Sequence, residues 1–141
     1  MRVTQHYPLI QVEDVAGSAA FFAGWLGLRP VFESDWYVQL QSEADPSLNL
    51  AILDCRHETI PEGARGPTRG LILTYEVEDA RAEHERALAS GIPIAQDLRD
   101  EPHGQRHFIV RGPAGVLVDI VTPIPPAEGF EEGYAPDALP S

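Results

Sequence analysis

A chain of 141 residues and 15.5 kDa is long enough to bury a core without disulfides or a structural metal. Its single cysteine, Cys55, excludes an intrachain disulfide and a cysteine-based zinc site. A formal charge of −12, with ten arginines and no lysine, excludes Schiff-base and P-loop lysine chemistry and argues against a nucleic-acid partner.

The chain reads in order as follows. An apolar run over Tyr7–Gln11 predicts a strand, rich in aromatic and β-branched residues. Asp14 then suits an N-cap, and Val15 to Leu26 predicts a helix with Ala19, Phe22, Ala23 and Leu26 on one face. Gly27 fits the left-handed residue that follows a helix end. Arg29 to Phe32, Trp36 to Gln41 and Leu48 to Leu53 predict three strands, the last two divided by the turn Ala44-Asp45-Pro46-Ser47. Arg56 to Thr68, with Pro61, Gly63, Gly66 and Pro67, predicts a linker. The same series then recurs: a strand at Leu71–Tyr75, an N-cap at Asp79, a helix over Ala80 to Ser90 that offers Ala80, Ala87 and Leu88, and Gly91. Strands follow at Pro93–Leu98, Arg106–Val110 and Val116–Val121, with Gly112-Pro113-Ala114-Gly115 as a turn. Pro123 to Ser141 holds five prolines and is acidic, which predicts an extended or partly disordered tail; Phe130 and Tyr134 are its candidate anchors.

Val12-Glu13-Asp14 returns as Val77-Glu78-Asp79, an offset of 65 residues (79 minus 14). Both halves read strand, helix, three strands. The fold class expected is therefore α+β, built from two βαβββ modules. The boundaries are 1–56 for the first module, 57–68 for the linker, 69–123 for the second module and 124–141 for the tail.

Val12-x-Asp14, Ser18-Ala19-Ala20-Phe21-Phe22 with Trp25-Leu26-Gly27-Leu28, and Gly112-Pro113-Ala114-Gly115-Val116-Leu117-Val118-Asp119 resemble V-x-D, S-x-x-F-Y, L-G-F and D-P-x-G-x-x-x-E patterns. These are the patterns of the vicinal-oxygen-chelate superfamily, which includes glyoxalase I, extradiol dioxygenases, fosfomycin-resistance enzymes and bleomycin-binding proteins. The resemblance covers residues 3 to 123. It implies that the two modules curl into a cup-shaped mixed sheet with helices outside. It also implies a homodimer, and in the metal enzymes one divalent ion held near the first strand and on the last strand of each module.

Carried onto this chain, the implied ligand positions are Tyr7, Ala51, Ile72 and Asp119. Two of the four have hydrocarbon side chains and cannot donate to a metal. His6 neighbours Tyr7, but a slip of one residue along a strand turns the side chain to the other face. His103 and His107 are four apart, yet Pro102 and Gly104 argue against a helix that would align them. The expectation is that no metal and no other cofactor is bound, with one divalent metal as the alternative.

Asp119 stands alone in the apolar run Val116–Val121 and requires a partner: an arginine, backbone N–H groups, or a ligand. Cys55 near His57 raises the possibility of an activated thiol, against a plain free thiol. Strand parity puts Tyr7 with Leu9, Ile72 with Thr74, and Leu117 with Asp119. Tyr37 and Gln39 share a face opposite Trp36 and Val38, and which face is inward stays open. The candidate ligand-binding residues are Tyr7, Trp36, Tyr37, Gln39, Thr74, His107 and Asp119. No catalytic residue is assigned. The function expected is metal-independent binding of a planar or cationic small molecule, in the manner of drug sequestration. The alternatives are a metal-dependent glyoxalase-like lyase, isomerase or dioxygenase, and a metal-free enzyme with Asp119 or His107 as general base. The N-terminus has no signal-like apolar core, and no run is long enough for a membrane span, so a soluble cytoplasmic protein is expected.

Overall fold

The structure is a computed structural model that describes residues 1–141. Its elements are β1 (Leu9–Val12), α1 (Val15–Leu26), β2 (Leu28–Glu33), β3 (Tyr37–Ser42) and β4 (Asn49–Asp54). The series then repeats as β5 (Ile72–Glu76), α2 (Ala80–Ala89), β6 (Ile94–Glu101), β7 (Gln105–Arg111) and β8 (Leu117–Pro123). This is an α+β chain of two βαβββ modules. By contacts it divides into a unit of Met1–Gly70 with Gly112–Gly115 and a unit of Leu71–Arg111 with Val116–Ser141. No helix is long and apolar enough to cross a membrane.

Each module builds one four-stranded sheet, ordered β1-β4-β3-β2 in the first and β5-β8-β7-β6 in the second. The first and last strands of a module pair in parallel, and the other pairs are antiparallel. A parallel pair needs a crossover connection rather than a hairpin, and the helix with two strands supplies it. The helix packs on one face of its own sheet. In the first module that face carries Ile10, Val38, Leu40, Leu50 and Ile52, all 2% exposed or less. In the second it carries Leu73, Phe108, Val110, Val118 and Ile120. Alternation along each strand leaves the opposite face for other chemistry.

Both caps form as expected. Asp14 accepts from the Gly17 N–H at 2.9 Å, and Asp79 accepts from Arg81 and Ala82. Gly27 and Gly91 take φ of 63° and 69°, the left-handed region where a side chain is disfavoured. The helix faces differ from expectation. The buried stripe of α1 is Val15, Ser18, Phe22 and Trp25, so that Ala19, Ala23 and Leu26 lie at its margin. Phe22 and Trp25, the large rings of the stripe, remove the most apolar area from water. Ser18 is tolerated there because its hydroxyl donates to the Asp14 carbonyl at 2.6 Å. In α2, Ala80 and Ala87 are buried but Leu88 is 54% exposed. His84 fills the turn between them, edge-on to Phe108 with ring centroids 5.1 Å apart.

The segment between the modules lies along β1. Thr68 N–H donates to the Gln11 carbonyl, the Gln11 N–H donates to Thr68 Oγ1, and the Gln11 side chain bonds Ala64 and Gly66. That cover occupies a strand edge that would otherwise be open to pairing. The proline-rich tail is tied to the β6–β7 turn. Ile124 N–H donates to the Gly104 carbonyl, Ala127 N–H to Pro102, and the Tyr134 hydroxyl to His103. Of the two candidate anchors, Tyr134 makes this contact, while Phe130 is 46% exposed.

Candidate functional site

On the face of the first sheet away from α1, β1 presents Leu9, β4 presents Asn49, Ala51 and Leu53, and β3 presents Tyr37, Gln39 and Gln41. The register places Leu9 and Gln39 on either side of Ala51, Tyr37 beside Leu53, and Phe32 of β2 beside Gln39. Leu9, Phe32, Trp36, Tyr37, Leu53 and Thr59 line an open pocket of about 530 Å3. That volume is in the range of small-molecule sites, and the lining is mainly hydrocarbon and aromatic. Phe32 and Tyr37 have ring centroids 5.9 Å apart, and Trp36 and Tyr37 5.8 Å. His57 lies flat against Trp36, 3.8 Å between centroids and 6° between planes.

A polar chain borders the pocket. The Tyr37 hydroxyl donates to Gln39 Oε1 at 2.6 Å. Gln39 Nε2 and Gln41 Nε2 both donate to Asn49 Oδ1, and Asn49 Nδ2 donates to the Pro46 carbonyl. Burial, and then the adjacent Tyr7 phenol, hold the Tyr37 hydroxyl above the usual tyrosine range. At neutral pH it is therefore a protonated donor. Tyr7 itself lies just outside β1, because Pro8 supplies no N–H to a strand; the Pro8 carbonyl accepts from Ala51 instead.

This geometry answers the open question of parity. Tyr37 and Gln39 face the pocket side, whereas Val38 packs toward α1. Trp36 also lines the pocket although it has the opposite parity, because β3 begins at Tyr37 and Trp36 belongs to the preceding turn. The Cys55–His57 pairing does not form: Cys55 is 3% exposed, and the His57 ring stacks on Trp36 with Nδ1 3.0 Å from Thr59 Oγ1.

The second module carries different chemistry on its corresponding face. His107 is 8% exposed, with Nδ1 2.8 Å from Asp119 Oδ1 and Nε2 3.0 Å from Glu101 Oε1. Gln96 Nε2 lies 3.2 Å from the same Nε2. Arg99 forms an ion pair with Glu101. Burial alone lowers the affinity of His107 for a proton, but hydrogen bonds to Glu101 and Asp119 outweigh it and raise the pKa above the ordinary imidazole value. Glu101 is held below its usual range, first by His107 and then by Arg99. The partner of Asp119 is thus none of the three kinds anticipated: it is a histidine on the neighbouring strand. Thr74 is paired with Asp119 in register and is exposed.

The seven candidate residues therefore form two groups, Tyr7, Trp36, Tyr37 and Gln39 in the first unit, and Thr74, His107 and Asp119 in the second. The sequence did not mark Phe32, Leu53 or Thr59 as lining. An apolar residue in an edge strand such as Phe32 is the one signal that was available, since β2 has no further strand to pair with.

The metal positions implied by the resemblance do not fit a divalent ion. Register makes Ala51 the counterpart of Asp119, since Leu9 pairs with Ala51 as Thr74 pairs with Asp119. Ala51 is buried and offers only a methyl group, Ile72 is 49% exposed hydrocarbon, and the Asp119 carboxylate is taken by His107. No group of three or more His, Cys, Asp or Glu side chains is placed to hold an ion.

A family model described as the Glyoxalase/Bleomycin resistance protein/Dioxygenase superfamily matches residues 4–120, and the chain belongs to that superfamily. Among solved structures, a glyoxalase/bleomycin resistance protein/dioxygenase from Nocardioides is 21% identical, with TM-score 0.72 over 92% of this chain and 87% of that one. TioX from Micromonospora sp. ML1 is 18% identical, with TM-score 0.69 over 86% and 100%. Lactoylglutathione lyase from Agrobacterium tumefaciens is 19% identical, with TM-score 0.66 over 86% and 96%. At these identities the likeness is one of fold. A search of curated proteins gave no match.

Proposed function

We propose that the protein binds a small, flat organic molecule in the aromatic pocket of the first module, without a metal and without a covalent step. The observation that carries this reading is the grouping of Phe32, Trp36 and Tyr37 around an open apolar pocket of about 530 Å3. Such rings contact a flat ligand over large areas with few rotatable bonds to freeze. The net charge of −12 favours a cation over an anion, and a cation over one aromatic face adds about 0.5–2 kcal/mol. A structural neighbour is named glyoxalase/bleomycin resistance protein/dioxygenase, and drug sequestration is in keeping with the second of those three names. A metal-dependent glyoxalase-like lyase, isomerase or dioxygenase needs donors that Ala51 and Ile72 lack. A general base at His107 needs a free ring nitrogen, and both of its nitrogens face carboxylates.

We include a second copy of the chain in this reading. Edge strand β2 leaves Val31 44% and Phe32 54% exposed, an apolar margin that a homodimer would cover. Light scattering on the purified protein tests that part.

Thermal melts against flat cationic drugs, neutral aromatics and anions such as glutathione conjugates test the main reading. A ligand at a hundred times its Kd stabilises by about 2.7 kcal/mol, a shift of several degrees. Flat cations are expected to give it, and Trp36→Ala to abolish it. Stabilisation by anions alone, or near-stoichiometric metal on elemental analysis of protein purified without chelator, would sink the proposal.

A further inference from the structure

The turn after β4 does more than connect two strands. His57 N–H donates to the Asp54 carbonyl at 3.0 Å, which fixes its backbone. Its Nδ1 accepts from the Thr59 N–H at 3.3 Å and lies 3.0 Å from Thr59 Oγ1, which holds the ring against the turn. Held in that way, the ring covers one face of Trp36 in parallel contact. Only the remaining surface of the indole is left to line the pocket, and Thr59, which clamps the imidazole, is itself a lining residue. The charged groups at this turn are Asp54 and Arg56, which are bound to each other by two hydrogen bonds of 2.9 Å, and the exposed Glu58. Trp36 and Thr59 add no charge.

We propose that His57 is a positioning residue of the pocket: it backs the Trp36 indole and fixes the aromatic wall on which a flat ligand stacks. The inference rests on the pocket being a ligand site. A ring held in place by the turn and stacked on the indole restricts the side chain of Trp36, so less conformational entropy is lost when a ligand stacks on it. The ligand class that profits is a rigid, flat aromatic, because a flexible one gains less from a prepared flat surface.

The experiment uses the full chain and proflavine, a flat cationic dye. Two readouts are taken: dye affinity by fluorescence, and the Trp36 signal, as near-ultraviolet dichroism and emission with the Trp36→Phe spectrum subtracted. His57→Ala is expected to weaken proflavine binding five- to twentyfold and to lose the Trp36 dichroism. His57→Phe, which keeps a flat backing ring, is expected to restore affinity to within about twofold and to recover the Trp36 dichroism. Unchanged affinity and unchanged Trp36 dichroism in His57→Ala would overturn the proposal. If proflavine fails to bind the wild type while the Trp36 signals respond to His57→Ala as stated, the pocket reading fails and the positioning of Trp36 by His57 stands.

Discussion

Replacing Asp119 by asparagine separates a structural carboxylate from one that waits for a ligand. The side chains of His107 and Asp119 are 10% and 13% exposed, and Nδ1 and Oδ1 are 2.8 Å apart. With His107 charged, Asp119 accepts a charge-assisted hydrogen bond worth about 1.5–3 kcal/mol, against about 0.5–1.5 for a neutral one. Asparagine keeps the shape and a neutral acceptor, so the loss is the difference, about 1–1.5 kcal/mol. For a domain of this size that lowers Tm by about 3–5 °C. The loss has a pH signature. Because the folded-state pKa of His107 is raised, its contribution is complete below the unfolded imidazole value near 6.5 and is lost as pH rises through the folded value. Urea melts at pH 6 and pH 9 are therefore expected to show the full loss at pH 6 and a smaller one at pH 9. Equal losses at the two pH values would refute the ionic account of the pair. No loss at either, together with weaker ligand binding, would show that Asp119 serves the ligand instead.

Three further outcomes follow from contacts elsewhere in the fold. Glu101 has a folded pKa below its usual value, so its stabilising contribution is present above about pH 4.5 and disappears as pH falls through the folded value; Glu101→Gln is expected to flatten the acid limb of a stability profile measured from pH 7 to pH 3. Gly104 has φ of 112°, and a methyl group there would stand 2.8 Å from the Ile124 carbonyl and 3.0 Å from the Tyr134 hydroxyl, so Gly104→Ala is expected to cost more than about 2 kcal/mol and to speed hydrogen exchange at the Ile124 and Ala127 amides. Phe22 is 0% exposed at the centre of α1, and Phe22→Ala is expected to cost about 3–5 kcal/mol in denaturant melts, whereas Leu88→Ala, at an exposed position, is expected to cost less than about 0.5 kcal/mol.

The order of elements is legible in the sequence because its signals are local. Asp14 and Asp79 cap the helices that follow them, Gly27 and Gly91 end them, and apolar runs mark the strands. Each of these depends on a few neighbouring residues. The face of α1 was harder to read, because Ala19 and Ala23 satisfy a helical spacing as well as Val15 and Trp25 do, and only the opposing sheet decides between them. The site was legible as a set of residues but not as contacts. His107 and Asp119 both stood out, yet their pairing depends on the β7–β8 register, in which His107 lies opposite Val121 and Asp119 opposite Ile109. Trp36 was assigned to a strand face by parity, and parity has no meaning in the turn where it sits. The stack of His57 on Trp36 joins residues 21 positions apart (57 minus 36) across two turns, and no periodicity in the chain reports it.

The registers make the two modules superposable strand by strand, and the comparison locates where their chemistry diverges. Leu9 corresponds to Thr74, Ala51 to Asp119, and Gln39 to Ile109. Tyr37, opposite Leu53, corresponds to His107, opposite Val121. One irregularity is repeated: an extra residue bulges β2 at Val31 and β6 at Ala95, and the residue after each bulge, Phe32 or Gln96, faces the middle of the next strand, while β6 alone has a second register shift between Gln96 and Arg99. A bulge at a fixed point aims the following side chain at the same place in both sheets. In the first module that place receives a phenyl ring against Tyr37, next to a buried alanine, and an apolar pocket results. In the second it receives an amide against His107, next to a carboxylate, and the polar groups satisfy one another. At three equivalent positions, Phe32/Gln96, Tyr37/His107 and Ala51/Asp119, the first module has apolar or aromatic groups where the second has polar ones, and beyond the second register shift in β6 the second module adds Glu101 on His107 Nε2. Membership of the superfamily accounts for the scaffold; the chemistry of each face is set by the side chains placed on it.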